Sequence, residues 1–386
     1  MGVSVTDFNP DAWRLLALKE PQGDFELIST DVPEVSPRGL LLRQDLTGVC
    51  GSDAFLYSGA WTNYPFPIVL GHENVGTVWR LGADLKHDFL GRSLAVGDRV
   101  VVGDRRSCGR CYACLIDLEP FNCANMAEYR AQMRVADTQI HSGVIGGGFS
   151  NIIRVEHERA LVFRTDLPER VAVLFEPLAV LGSTMDVELA APGLTVVVVG
   201  TGMVGLSAIA AAKWRGAARI IAVGAPEGRL ELAQDFGAAA AIDFRSTPEP
   251  QDLIKAVLAE TPRGAGADVV FDCTGISSQL TTSMRFARQG GQVANLGIPP
   301  AGQATEFRPY DDMYSRNVSL RAIRGSTPRD WVRSLALLEN FDAPWEKVVT
   351  HVLPLEEASR AIHALADRTY ELDGREVMKI VLAANG

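Results

Sequence analysis

Basic charge is what this sequence is short of. Lys and Arg number 37 against 47 Asp and Glu, a formal net charge of −10 over 386 residues. A chain that binds nucleic acid or an anionic membrane surface carries the opposite excess, so neither is expected as a partner. The first residues, MGVSVTDFNPDAW, have no basic stretch followed by an apolar one, the pattern an export signal needs. No apolar run approaches the ~20 residues of a membrane span, because Gly, Lys or Arg interrupts each one. A soluble, cytoplasmic protein is expected. Cysteine is scarce too: six in the whole chain, which excludes a disulfide framework. Internal repeats and low-complexity tracts are absent. The length suits two domains, or one large one, with ample material for a buried core.

Four of the six cysteines fall in one loop, SCGRCYACLIDLEPFNC, as Cys108-x2-Cys111-x2-Cys114-x8-Cys123. Four thiolates close a tetrahedral zinc site, and short spacers let one loop supply them all. Such a closed shell has no position for substrate, so a zinc here is expected to be structural. Two other readings stand beside it. The cysteines are buried and free, or the loop is a zinc ribbon that binds nucleic acid; only Arg110 is basic between the first and last of them. In each case the chemistry lies elsewhere.

Residues 39–49 and 94–102 read as short strands broken by turns, and glycine and proline are frequent through residue 150. This half is expected to be an irregular β domain. From residue 196 the texture changes to apolar strands alternating with helical stretches, which implies a parallel sheet with helices on both faces, an α/β fold. The first strand of that region runs into Gly200-Thr201-Gly202-Met203-Val204-Gly205 and then a helix. The first glycine permits the turn, the second lets a pyrophosphate approach the backbone, and the third lets helix pack on strand. A dinucleotide is therefore expected at this turn, with its phosphates at the helix N-terminus. The acid that usually binds the adenosine ribose about twenty residues on is missing: Gly224 stands there, followed by Ala225 and Pro226. Arg229 is a candidate for a 2′-phosphate and Glu227 a weak substitute for the acid, so NAD and NADP both remain open.

Three more stretches hold ligand-type residues: GVCGSD with Cys50, LGHENVG with His72 and Glu73, and LFEPLAV with Glu176. Singly each has an ordinary reading, as a buried thiol, a hydrogen-bonded core histidine or a helix N-terminal acid. Spacing alone does not join them.

In this order, GVCGSD, GHENVGTV, VGDRV, the cysteine loop, FEPLAV and the GxGxxG turn resemble the zinc-dependent medium-chain alcohol dehydrogenase family, in its polyol, sorbitol and threonine dehydrogenase-like branch. The resemblance runs over nearly the whole chain. It implies a GroES-like irregular β-barrel catalytic domain (residues 1–176 and 326–386) carrying both zinc sites. A Rossmann doubly wound parallel-sheet domain (residues 177–325) would bind the dinucleotide. A catalytic zinc would be held by residues matching Cys50, His72 and Glu176, with Glu73 a carboxylate that ligates transiently, and a structural zinc by the four clustered cysteines. The implied reaction is hydride transfer between an alcohol and NAD or NADP, with zinc as Lewis acid and Ser52 taking the alcohol proton. Relatives often carry a histidine three residues beyond that serine; this chain has Phe55. Gly297 and Ile298 match backbone that meets the nicotinamide carboxamide, Thr274 lies at a strand end facing the cofactor, and Lys379 is a candidate contact for the pyrophosphate. The cysteine spacing is one residue longer than the usual pattern. A homodimer or homotetramer is implied.

Phe55, Tyr57, Trp61, Tyr64 and Phe66 crowd the stretch after Cys50, a region that borders the substrate in the family. They suit a bulky or cyclic secondary alcohol, oxidised to its ketone, or are core packing. Asp104, Arg105 and Arg106 meet a polar substrate or are solvated surface. The alternatives are a polyol or sugar dehydrogenase of the same family, a zinc-free enone reductase on the same fold, and a zinc-ribbon binding protein.

Overall fold

Short apolar runs separated by turns become strands through the N-terminal part of the chain. The computed structural model describes residues 8, 10–61, 64–104, 107–126, 141–142, 147–156, 160–180, 191–247, 249–367 and 369–385. The first strands are β1 (Trp13–Leu18), β2 (Phe25–Thr30), β3 (Gly39–Gly48), β4 (Ile68–Val69), β5 (Glu73–Leu81), β6 (Arg99–Asp104), β7 (His141–Ser142), β8 (Ile152–Glu156) and β9 (Ala160–Arg164). Among them lie the short helices α1 (Gly51–Tyr57) and α2 (Tyr112–Leu115), with α3 (Phe175–Ala179) after β9. The expected strand over 94–102 begins later. Asp98 accepts from the Ala95 N–H at 2.8 Å and holds 95–98 as a turn, so β6 starts at Arg99.

The middle of the chain is a six-stranded parallel sheet. Its strands are β10 (Thr195–Val199), β11 (Arg219–Gly224), β12 (Ala240–Asp243), β13 (Ala267–Asp272), β14 (Ala287–Asn295) and β15 (Ser319–Ala322). They lie in the order β12-β11-β10-β13-β14-β15, the doubly wound order that reverses between β10 and β13. Helices α4 (Met203–Trp214), α5 (Glu227–Asp235), α6 (Pro250–Ala259) and α7 (Ser277–Phe286) connect them. Right-handed crossovers on each side of that reversal put helices on both faces. Buried on both faces, β10 needs no polar alternation, and all five of its residues, TVVVV, are buried. Helix α8 (Pro328–Asn340) follows, opened by Thr327, whose hydroxyl and N–H both bond the Asp330 carboxylate at 2.8 and 2.7 Å.

The chain then adds β16 (Val349–Pro354), α9 (Ala358–Ala366), the hairpin β17 (Glu371–Leu372) and β18 (Arg375–Glu376), and β19 (Lys379–Ala383). These return to the first part, where β16-β19-β3-β5-β6-β9 form one sheet, with β8 also on β3, and β2-β1-β4-β7 another. The chain thus divides into a first unit, residues 1–176 with 345–386, and a second, 177–344. The return falls at 345 rather than the expected 326, because the capped helix α8 belongs to the second unit. In the first unit Trp13, Phe149, Ile68 and Ile380 lie in one core cluster and Leu42, Val100 and Ile153 in another. The second unit's core includes Val197, Ile221, Val270 and Phe286.

Candidate active site and metal centres

The turn from β3 into α1 builds the first site. Cys50 is the N-cap of α1, and Asp53, three residues on, accepts from the Cys50 N–H at 2.9 Å. The other Asp53 oxygen accepts from the Gly71 N–H at 3.3 Å and lies 3.5 Å from His72 Nδ1. One buried carboxylate therefore ties the strand end that carries His72 to the helix start that carries Cys50. It also holds His72 so that Nε2 faces the other way, toward Ser52 Oγ at 3.3 Å and a Glu176 oxygen at 4.0 Å. Carboxylates behind ligating histidines do this in metal sites generally. Burial alone would lower the basicity of His72, but the Asp53 and Glu176 carboxylates outweigh it and raise its pKa well above the ordinary histidine value. Asp53 is likewise held below the ordinary carboxylate value: burial works against this, and His72 with the two backbone N–H groups prevails.

Glu73 opens β5 opposite Gly48 of β3. A Cβ on residue 48 would lie 2.9 Å from the Glu73 carboxyl carbon and closer still to its Oε2, so only glycine leaves room for this carboxylate. Glu73 is fully buried, with Oε2 paired to the Lys379 ammonium and Oε1 without a hydrogen-bond partner. Cys50, His72 and Glu73 each place a ligand atom within 4.8 Å of the others. A thiol, an imidazole and carboxylates converging around a buried, unsatisfied oxygen fit a zinc ion with an open position. Lys379, expected at the pyrophosphate, is instead 4% exposed in this group, bonded to Glu73 and donating to the Val49 carbonyl at 3.1 Å. Burial would lower its pKa, yet Glu73, Cys50 and Glu176 raise it, so the ammonium is charged.

The four clustered cysteines also converge, their sulfurs all within 4.8 Å of one another. Cys111 Sγ is 3.4 Å from Cys114 Sγ and 4.0 Å from Cys123 Sγ; a tetrahedron with ~2.3 Å zinc–sulfur bonds has edges of about 3.8 Å. Backbone N–H groups, first that of Arg110, lower the Cys108 thiol to about 6, whereas burial pushes Cys123 up to about 11.

Phe55 lies one turn beyond Ser52 on α1. Its ring stacks on Trp61 at 5.8 Å, and Trp61 stacks on Tyr64 at 6.0 Å. Tyr64, Trp61, Tyr57 and Phe66 also pack in the core cluster, and the Tyr57 hydroxyl bonds His363 at 2.8 Å. Asp104 ends β6, but its side chain lies outside the described residues, as do Arg105 and Arg106.

In the second unit the glycine turn sits between β10 and α4. Gly200 has φ +95°, and a Cβ on Gly205 would drive into the Gly200 carbonyl. Gly202 is different: the nearest atom to an added Cβ is Arg229 Nη1 at 3.9 Å, so the second glycine opens a cradle beside a guanidinium. Met203 and Val204 begin α4 over it. Gly224 ends β11, and the Thr201 side chain fills the space a side chain there would need; the Thr201 hydroxyl is buried and unpartnered. Across the sheet, Asp243 pairs in register with Gly224 and is bound by Arg245 Nε at 2.9 Å. Thr274 bonds Asp272 at 2.7 Å, Gly297 packs on the Gly275 backbone where no Cβ fits, and Ile298 is exposed.

Two family models match: an alcohol dehydrogenase GroES-like domain over residues 36–165 and a zinc-binding dehydrogenase over residues 203–340. An L-threonine 3-dehydrogenase of Thermococcus kodakarensis is 30% identical over 338 residues, covering 86% of this chain and 88% of that protein. The chain belongs to the zinc-dependent medium-chain dehydrogenase family. A crystal structure of an alcohol dehydrogenase from Thermotoga maritima shares the fold, with a TM-score of 0.84 at 24% identity over 97% of this chain and 99% of that one. So does a zinc-binding dehydrogenase from Sinorhizobium meliloti bound to NADP, with a TM-score of 0.80 at 24% identity over 97% and 100%. Members of this family are dehydrogenases that act on small molecules, and this chain is an oxidoreductase of that kind. Among the described residues no helix is long and apolar enough to cross a membrane.

Asp53 and Gly48 escaped the sequence reading. The signal for Asp53 was present: an acid three residues after Cys50 is the N3 position of a helix cap. Gly48 had no such signal, because its reason is a carboxylate 25 positions away.

Proposed function

We propose that this protein transfers a hydride between a secondary alcohol, bulky or cyclic, and a nicotinamide cofactor, giving the ketone. The observation that carries this is the convergence of Cys50, His72 and Glu73, with a Glu176 oxygen 4.0 Å and Ser52 Oγ 3.3 Å from His72 Nε2. Cys50, His72 and Glu176 would hold a catalytic zinc, and the four clustered cysteines a second, structural one. When bound, zinc supplies the Lewis acidity that lets an alcohol proton leave near neutral pH, and nicotinamide supplies the hydride acceptor. In this reading Ser52 takes that proton; its hydroxyl lies 3.3 Å from His72 Nε2. Phe55 stands where relatives often have a histidine, so the proton's onward route runs through solvent or the cofactor ribose. In this reading the Phe55–Trp61 stack, its ring centroids 5.8 Å apart, would form a flat apolar wall beside the alcohol and favour a ring. Gly200, Gly202 and Gly205 would carry the pyrophosphate, and Arg229 beside them supports NADP over NAD. The comparison with threonine dehydrogenases favours a second reading, a secondary alcohol on a polar open chain. The edge strand β15, exposed along its whole length, is a candidate for pairing subunits. A cytoplasmic location is part of the same proposal.

The test is reduced-nicotinamide formation over cyclic secondary alcohols, aromatic alcohols, open-chain polyols and 3-hydroxy amino acids, each with NAD and NADP. Turnover of cyclic alcohols, lost in Phe55→Ala, supports the aromatic wall. Turnover confined to polyols or hydroxy amino acids overturns it.

A further inference from the structure

Three acidic groups lie near one another in the first unit: the fully buried Glu73 carboxylate, the partly buried Cys50 thiol (a thiolate, as a metal ligand would be) and the partly buried Glu176 carboxylate. Resting on the zinc reading above, a dication there would still leave the negative charge of these groups and of the Asp53 carboxylate behind His72 in excess of positive charge. Lys379 offsets part of that excess, at Glu73. Its ammonium reaches Glu73 Oε2 from the start of β19, braced by the Val49 carbonyl at 3.1 Å. Gly48 leaves beside β3 the room that this carboxylate fills. Glu73 is thus tethered at one oxygen and unsatisfied at the other, with its ligand atom within 4.8 Å of those of Cys50 and His72.

We infer that Lys379 is a positioning residue that keeps Glu73 from becoming a permanent zinc ligand. Two carboxylates, Glu73 and Glu176, lie near one metal group, and a catalytic zinc keeps a position open for substrate. A buried carboxylate without a cation is drawn strongly to the nearest positive charge. With Lys379 in place Glu73 already has one, so its hold on the metal stays weak and exchangeable. Without Lys379, Cys50, His72, Glu176 and Glu73 together fill four positions. The site would keep its metal longer and admit small ligands less readily.

The experiment compares the zinc-loaded parent with Lys379→Met, Lys379→Arg, Glu73→Gln and the double variant Lys379→Met/Glu73→Gln. Zinc release to an excess of a chromogenic chelator gives the exchange rate, and the phase missing in Cys50→Ser marks the catalytic zinc. Cobalt-loaded protein, titrated with imidazole, reports through its visible spectrum whether a position is open. Lys379→Met is expected to release the catalytic zinc roughly 10-fold more slowly, the scale of effects seen for residues behind metal ligands, and to bind imidazole correspondingly more weakly. Lys379→Arg and the double variant are expected to exchange like the parent, and Glu73→Gln no more slowly than the parent. Faster release from Lys379→Met, unchanged imidazole affinity, a double variant that behaves like the single one, or slower release from Glu73→Gln would each overturn the inference. If Lys379→Met does not fold, the Glu73→Gln and Lys379→Arg results decide it. A parent that holds no metal outside the four-cysteine loop overturns the zinc reading itself, and the inference with it; a parent with normal metal and unaltered variants overturns the inference alone.

Discussion

Replacing Gly48 with alanine adds one carbon at the point where β3 faces Glu73. That carbon would lie 2.9 Å from both the Cβ and the carboxyl carbon of Glu73. Ordinary carbon contacts begin near ~3.5 Å, so the side chain must swing away. It cannot do so and keep the Lys379 ammonium, whose position is fixed by the Val49 carbonyl. Overpacking in a filled core costs about 1–3 kcal/mol, and breaking a buried ion pair from one side about 3–5 kcal/mol. The two overlap, because relieving the first produces the second, so a loss of about 3–5 kcal/mol in the first unit is expected. Calorimetry of the zinc-loaded protein should show the first unit's transition shifted down, with zinc content at the Cys50 group reduced. Gly48→Ala/Glu73→Ala removes the clash, so the two substitutions should be strongly non-additive. If Gly48→Ala costs under about 1 kcal/mol and keeps its zinc, the packing described for Glu73 is wrong.

Asp53→Asn retains the size of the side chain but loses the charge that orients His72. Zinc affinity at the Cys50 group should fall roughly 10–100-fold, and equal affinity by competition with a chelator would contradict the role given to Asp53. His72 has a raised pKa in the metal-free fold. Its contribution to metal-free stability is therefore full below the unfolded value of ~6.5 and is lost as pH rises through the raised one. Zinc must displace the same proton, so uptake at pH 7 should release it and affinity should weaken as pH falls; calorimetry in buffers of different ionisation enthalpy counts the protons, and none from His72 would refute the assignment. At the cofactor site Gly224→Asp alone should damage the fold of the second unit, since Thr201 fills that space. Thr201→Gly/Gly224→Asp should instead bind NADH more tightly, by about 10–100-fold for a charged hydrogen bond to the ribose. Fluorescence titration with NADH and NADPH reads it, and tight NADH binding by the single variant would show that Thr201 does not block the position.

The legible parts of this molecule were those whose cause is local. Gly200, Gly202 and Gly205 follow from one turn, and Cys108 to Cys123 from one loop. The α/β texture of the second unit follows from apolar runs buried on both faces. What was hidden depends on contacts between distant residues. Lys379 sits in a strand that any parallel or antiparallel partner could follow, and only its pairing with Glu73, over 300 positions earlier, separates a buried counter-ion from a phosphate contact. The late return of the chain at 345 was masked because Gly325 looks like an ending, whereas the Thr327–Asp330 cap just beyond it starts another helix of the same unit. The aromatic residues after Cys50 read as pocket or core; Trp61 stacks on Phe55 and also packs against the core.

Zinc content measured together with activity tests the central claim most directly, in the parent and in Cys50→Ser. The parent should hold two zinc ions per chain and oxidise an alcohol with a nicotinamide cofactor. Cys50→Ser should hold one, keep its fold, and be inactive. A parent with one zinc, or a Cys50→Ser variant with full activity, would contradict the placement of the chemistry at Cys50, His72, Glu73 and Glu176.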